Sequence, residues 1–331
     1  MGVTGTAAPS PGILRRFWTW LPDGVDARVR VLAWLTLVTQ VLIVGTGGAV
    51  RLTGSGLGCP TWPLCTDASL VATPEMGIHG GIEFGNRLLS IIVGIVAVAL
   101  VVTVLRLRGR GGVFWPAVAI LGLTVLQGFV GGISVRVRLD PTVVGLHFLT
   151  SAVLVALATV VVFRVYRGVR GLLAVPGWYA GIMHTTSAAV AVTVVVGVLT
   201  TGSGPHAGDD AASRNGLDSV LLQHIHSWPA YATLALTVVL VVVALVRRLG
   251  AVRPFVIALL IVELAQVAVG LIQARSGLPP QLVGTHMVLA CVLVAVMTAT
   301  VLSLRTPAPR TAVAGAAAGR GRPRGRPASG T

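Results

Sequence analysis

Eight stretches of this chain, near residues 30–50, 82–104, 114–134, 143–163, 178–200, 219–246, 254–273 and 283–304, run apolar and almost free of charge. Each is about 20 residues long, the length a helix needs to cross the hydrocarbon layer of a bilayer. A water-soluble core could not absorb so much apolar surface, since 54% of the 331 residues are hydrophobic and 11% are charged. In lipid every backbone N–H and C=O must be satisfied within its own segment, so such runs fold as helices. The expected fold is an all-α integral membrane protein with eight transmembrane helices, numbered here as spans 1 to 8.

One passage is written twice. LTVLQGFVGGISVRVRLDPTVVGLHFL, from Leu123 to Leu149, matches VELAQVAVGLIQARSGLPPQLVGTHMVL, from Val262 to Leu289. Gln127 precedes His147 by 20 residues, as Gln266 precedes His286, and Pro141 and Pro280 each stand six residues before the histidine. TGSG at Thr53 to Gly56, after span 1, recurs at Thr201 to Gly204, after span 5. In span 2, Glu83 and Asn86 align with Gln223 and His226 of span 6, because Asn86 lies 41 residues before Gln127 and His226 lies 40 before Gln266. Matched polar punctuation inside apolar sequence predicts two pseudo-symmetric four-helix bundles. The expected division is 1–28 as an N-terminal segment, 29–170 and 171–305 as the two halves, and 306–331 as a basic tail.

The net charge of +15 follows this division. Arg15, Arg16, Arg28 and Arg30 precede span 1, Arg106, Arg108 and Arg110 follow span 2, Arg164, Arg167 and Arg170 follow span 4, and Arg247, Arg248 and Arg253 link spans 6 and 7. Cytoplasmic loops collect such residues, so both termini are expected inside a cell membrane. The opposite loops hold few arginines, Arg51, Arg136, Arg138, Arg214 and Arg275, together with Asp67, Glu75, Asp140, Asp209, Asp210 and Asp218, and are expected outside. This distribution speaks for topology and anionic lipid, not for nucleic acid. Residues 1–28 lack the apolar core of a cleavable signal, and the Ala/Gly/Pro/Arg-rich tail reads as disordered.

Within the spans the polar residues are few. An ionised carboxylate at mid-membrane costs roughly 2.5–3.5 kcal/mol even on the lenient insertion scale, so Glu83 calls for a partner or a purpose. Arg87, one helical turn on, is the expected partner. His226 is expected to face inward, with His224 on another helix face. His184 reads as a structural histidine, His79 and His206 as outer-loop residues, Cys291 as a packing residue, and Glu263 has no match in span 3. Gly128, Gly131, Gly132 and Gly270 either let helices approach or leave room for a flat ligand. Cys59 and Cys65, close together in one outer loop, are expected to form a disulfide, either a structural staple or a redox-active pair.

Glu83, Asn86, His147, His226 and His286 all fall near the outer ends of even-numbered spans. Two histidines from facing helices are the usual way to supply both axial nitrogens of a haem. His226 and His286 form such a pair, whereas His147 has only Asn86 opposite it. Zinc would ask for a tighter ligand cluster, such as HExxH, which the sequence does not contain.

VGTGGAVRLTGSGLGCPTWPLC, GIEFGNR, the GLH of span 4, QHIH and the GTH of span 8 resemble the haem A synthase family, over about residues 30 to 305. The resemblance implies oxidation of the C8 methyl of haem O to a formyl group by successive hydroxylations, supplying haem A for cytochrome c oxidase. It implies haem b (iron) as cofactor on His226 and His286, and substrate haem O in the first half on His147 and Asn86. Glu83 would be catalytic, and Cys59 and Cys65 would form a disulfide or redox pair. Partners implied are haem O, molecular oxygen or water as oxygen source, an electron donor, a contact with the farnesyltransferase that makes haem O, membrane lipid and a homo-oligomer, with the haem sites toward the outer face. Two residues depart from the family pattern: Asn86 where many members have histidine, and Ser227 where an arginine often follows the histidine of span 6. A membrane b-type cytochrome is the first alternative and a haem transporter the second.

Overall fold

The computed structural model describes residues 12–107 and 111–307. A short helix, α1 (Ile13–Trp20), is followed by eight long ones: α2 (Ala27–Leu52), α3 (Gly77–Val104), α4 (Gly111–Arg136), α5 (Pro141–Arg167), α6 (Gly177–Ser203), α7 (Ser219–Val246), α8 (Arg253–Arg275) and α9 (Pro280–Ser303). All eight are long and apolar enough to cross a membrane. The chain is a multi-pass membrane protein of all-α architecture.

The eight expected spans are all present; seven of the helices begin one to five residues before the expected start, and α7 begins where expected. Polar caps and prolines fix several of these starts. The Asp140 carboxylate accepts from the amides of Thr142 and Val143 at the start of α5, and Asp218 does the same for Val220 and Leu221 at the start of α7. Pro141 and Pro280 occupy the first turns of α5 and α9, where a missing N–H costs nothing.

The duplicated passage is also duplicated in backbone geometry. After α4, Leu139 turns left-handed (φ 59°) and its N–H returns to the Ser134 carbonyl; after α8, Leu278 does so (φ 60°) and returns to Gln273. Non-glycine residues adopt this region at a cost of about 1–2 kcal/mol. The same tight reversal therefore sets the depth of both following helices, and with them His147 and His286.

One apolar cluster draws only on α2 to α5 and their adjoining loops, around Leu100, Ile120, Leu154 and Val161. A second draws only on α6 to α9 and theirs, around Tyr179, Met183, Leu240 and Leu259. The two sets meet where α2 and α5 pack on α9, around Val44, Val155 and Cys291. Close approach there requires small residues: a Cβ at Gly45 would lie 3.3 Å from Val288, and one at Gly48 3.4 Å from Met287.

Three details depart from the sequence reading. The second TGSG does not follow its helix, because Thr201 to Ser203 form the last turn of α6. Thr306 and Pro307, placed in a disordered tail, pair as β2 (Arg305–Pro307) antiparallel to β1 (Arg170–Leu173); residues 308–331 lie outside the described residues, as do 1–11 and 108–110. And α1 forms in the polar N-terminal segment, with Ile13, Leu14, Phe17, Trp18 and Trp20 exposed. Its end is held by Arg106, which donates to the carbonyls of Trp18, Thr19 and Leu21.

Candidate functional site

A cavity of about 800 Å³ runs between the two sets of helices, within the size range of ligand sites. Glu83, Asn86, His147, His226 and His286 all line it, together with Gln127 and Gln266. Five residues singled out from sequence alone thus converge on one space. His224, two residues from His226, does not line it and is exposed.

On the side of α6 to α9, the His226 and His286 rings face each other with centroids 6.3 Å apart and planes at 75°. An ion bound about 2 Å from one nitrogen of each of two opposed imidazoles separates the ring centroids by about 6 Å. The spacing of the pair therefore matches that of two imidazoles sharing one metal ion. Each ring lies against a glycine: a Cβ at Gly197 would come within 2.8 Å of His226 Cε1, and one at Gly270 within 3.2 Å of His286 Cε1. The backbone of Thr193 approaches His226, yet Nδ1 of that ring is buried without a hydrogen bond of standard geometry. Such an unpaired buried nitrogen is costly unless it binds something.

Gln266 lies against the carbonyl and Nδ1 of His286, with its amide placed so that nitrogen and ring tautomer are linked. Its repeat partner Gln127 donates to the His147 carbonyl at 2.9 Å and to Ser151 Oγ at 2.6 Å. The two glutamines thus hold the same point on the two histidine helices, one through the ring as well as the backbone.

The side of α2 to α5 is built differently. His147 Nδ1 is buried and unpaired, and a Cβ at Gly131 would lie an ordinary 3.6 Å from its Cε1. Asn86 Oδ1 accepts from Thr46 Oγ1 at 2.7 Å. Glu83, 5% exposed, pairs with Arg87 as expected and also accepts from the Cys59 amide at 2.7 Å. Arg87 in turn donates to the carbonyls of Cys59, Thr61 and Leu64. Cys59 and Cys65 are joined as a disulfide, so the ion pair clamps both ends of the disulfide loop. From that loop Trp62 reaches down onto Gly132, where any Cβ would strike its ring.

Several predicted assignments change. His79 sits in the first turn of α3, its Nδ1 2.8 Å from Ser55 Oγ, and is not a loop residue. His206 does lie in a loop, but is tied down: its Nε2 meets the Leu278 carbonyl at 2.9 Å. His184 is exposed on α6. Glu263, left without a role, is 4% exposed, lines the cavity and accepts from Thr237 Oγ1 at 2.9 Å. Arg51, taken as an outer-loop charge, lies in the last turn of α2, and sequence reasoning passed over Trp62 and Thr46. The only signal for Arg51 was the TGSG alignment, which places Leu199 at the same point in the second copy.

Comparison with known proteins bears on this arrangement. Residues 30–79 and 78–298 match the COX15-CtaA family, described as cytochrome oxidase assembly protein. The chain belongs to this family. Among curated relatives, the Heme A synthase of Caulobacter vibrioides is 28% identical over 335 residues, covering 84% of this chain and 96% of the relative. The Heme A synthase of Staphylococcus epidermidis (strain ATCC 12228 / FDA PCI 1200) is 35% identical over 147 residues, 42% of this chain and 48% of the relative. That of Lysinibacillus sphaericus is 29% identical over 140 residues, 41% and 45% respectively. The chain thus spans about half the length of these last two and nearly all of the first. For a cytochrome oxidase assembly protein, a cavity with two differently equipped histidine sites is the feature that calls for a functional account.

Proposed function

We propose that this chain is a haem A synthase, oxidising the C8 methyl of haem O to a formyl group to supply haem A for cytochrome c oxidase. Membership in the cytochrome oxidase assembly family supports the reading, and the observation that carries it is the unequal pairing of histidines in one cavity. Residues 29–170 and 171–305 act as the two halves. In the second, His226 and His286 hold haem b, which supplies one-electron transfer when bound. In the first, His147 binds the iron of the substrate, while Asn86, engaged by Thr46, leaves the opposite face open to dioxygen.

The lining of the cavity differs in the same sense. Gly128 and Gly132 stand where the second half has Val267 and Leu271, and all four line the space. A Cβ at Gly128 would meet nothing within 4 Å, which leaves room for a haem carrying a long isoprenoid chain. At Gly132 the wall is the Trp62 ring of the disulfide loop. Glu83 and Arg87 hold that loop in place, and in this reading Glu83 takes or gives protons during the oxidation.

Each hydroxylation consumes dioxygen, two electrons and two protons, converts C–H to C–OH and releases water. The second gives a hydrated aldehyde that loses water to the formyl group. The electrons come from a donor outside the chain. The arginine-rich loops support a cell-membrane topology in which both termini are cytoplasmic and the haem sites lie toward the outer face. A homo-oligomer and a contact with the farnesyltransferase that makes haem O complete the proposed setting.

The test is haem extraction and mass analysis from cells that make haem O, with and without this protein. Haem A, or its alcohol intermediate, is the expected product. Untouched haem O beside well-expressed protein would overturn the reading and leave an electron carrier in its place.

A further inference from the structure

Arg51, at the end of α2, lines the cavity and is the cation that the account above does not use. Its Nε donates to the His206 carbonyl at 2.7 Å and its Nη2 to the Thr201 carbonyl at 3.0 Å. Those contacts take two of the five N–H groups of a guanidinium. Neither acceptor carries charge, and among the described residues Arg51 has no acidic partner, since the ion pairs there are Arg28 with Asp26 and Arg87 with Glu83. Arg214, near enough to act on it electrostatically, is of the same sign, and its own guanidinium donates to the carbonyls of Ala212 and Pro205. Two cations without a carboxylate at the edge of a cavity make a local field that favours an anion.

The position of Arg51 says which part of the cavity that anion occupies. It belongs to α2, but both of its acceptors lie on or after α6. Thr201 is one turn beyond Gly197, the glycine against the His226 ring, and the Thr201 hydroxyl donates to the Gly197 carbonyl at 2.7 Å. On the other flank, Gly48 of α2 lies against Met287, next to His286. The second TGSG copy has Leu199 where the first has Arg51, so the second half offers no cation of its own at this point.

We propose that Arg51, a residue of the first four spanning helices, anchors a carboxylate of the ligand held between His226 and His286, namely a haem propionate. This rests on reading those histidines as a haem site. The bidentate fork of arginine suits a carboxylate, and a charge-assisted hydrogen bond is about twice as strong as a neutral one. The same side chain closes the outer loops over the cavity, so ligand binding and loop order are joined at one residue.

The test uses the full chain, purified from haem-depleted cells and titrated with protohaem and with protohaem dimethyl ester. The signal is the low-spin absorbance that two imidazoles impose. Wild type should prefer the free acid by roughly tenfold. Arg51→Gln should bind both forms alike, and Arg51→Lys should keep part of the preference. Thermal unfolding of the ligand-free variants reads the loop contacts separately and covers the case of a Gln variant that folds poorly. Equal affinity of wild type for both forms, an Arg51→Gln chain that retains the preference, or an Arg51→Lys chain without any, would overturn the anchor. Failure of wild type to give the low-spin signal with either form would instead remove the haem site on which the proposal rests.

Discussion

Helices α2–α5 and α6–α9 start from one sequence plan and arrive at two different sites. Both bring a histidine to the cavity behind the same left-handed reversal, Leu139 before His147 and Leu278 before His286. Both hold that histidine's helix with a glutamine one span earlier. They part at the facing position. His226 opposes His286 at 6.3 Å between centroids, whereas Asn86 is turned to Thr46. They part again at the next residue, where Arg87 clamps the disulfide loop and its counterpart Ser227 only bonds back to the His224 carbonyl. A shared backbone device can thus set depth in both halves, while single side chains decide whether the cavity histidine faces a second imidazole.

The largest expected effect breaks the comparison directly. His226→Ala or His286→Ala should abolish the low-spin haem absorbance of the purified protein, because one imidazole cannot impose it. His147→Ala should leave that absorbance intact and abolish haem A formation in cells that make haem O. If His147→Ala also lost the low-spin signal, the division of labour between the halves would be wrong.

Glu83→Gln comes next. Gln keeps an acceptor for the Cys59 amide but leaves Arg87, which is 19% exposed, without its charge partner. Breaking a well-buried pair from one side costs about 3–5 kcal/mol, and solvent access at Arg87 should put this case below that range. Haem A yield is expected to fall at least tenfold, with a lower unfolding temperature. An unchanged yield at normal protein level would remove Glu83 from the chemistry and leave it a loop anchor.

Asn86→His sharpens the comparison by making the first site resemble the second. It replaces the acceptor used by Thr46 with an imidazole opposite His147. The expected outcome is a new low-spin signal when haem O is supplied, together with slower oxidation, since the open face would be taken. A variant as active as wild type, with no spectral change, would show that position 86 does not face the iron.

These outcomes rest on features of unequal legibility. The spans, the repeated Gln and His positions and the Glu83–Arg87 pair were readable because each is encoded by composition or by spacing along the chain. The disulfide was readable from two close cysteines in one loop. What those pairs do to the site was not. Arg87 reaches Cys59 across 28 residues and Arg51 reaches His206 across 155, and no local period announces a contact of that kind. Trp62 on Gly132 is similar, since the glycine pattern reads equally as helix packing or ligand space until the ring that fills it is seen. α1 escaped because eight residues are too few to stand out as a span, and the pairing of Thr306 and Pro307 with β1 depends on a strand 134 residues earlier.

The smallest expected effect lies in the glycines behind the rings, where the two halves differ by less than an ångström. A Cβ at Gly131 would rest 3.6 Å from His147 Cε1, an ordinary contact, while one at Gly197 would be 2.8 Å from His226 Cε1. Alanine at 131 should therefore be accepted with little change in haem A yield. Alanine at 197 must push the His226 ring or bend α6, and overpacking of this kind costs about 1–3 kcal/mol. The ring is already placed against its partner, so the displacement should appear as weaker haem retention and a shifted low-spin band rather than as misfolding. Equal tolerance at both positions would mean that the His226 ring has slack. In that case the close fit of the second pair would not be what distinguishes it from the first.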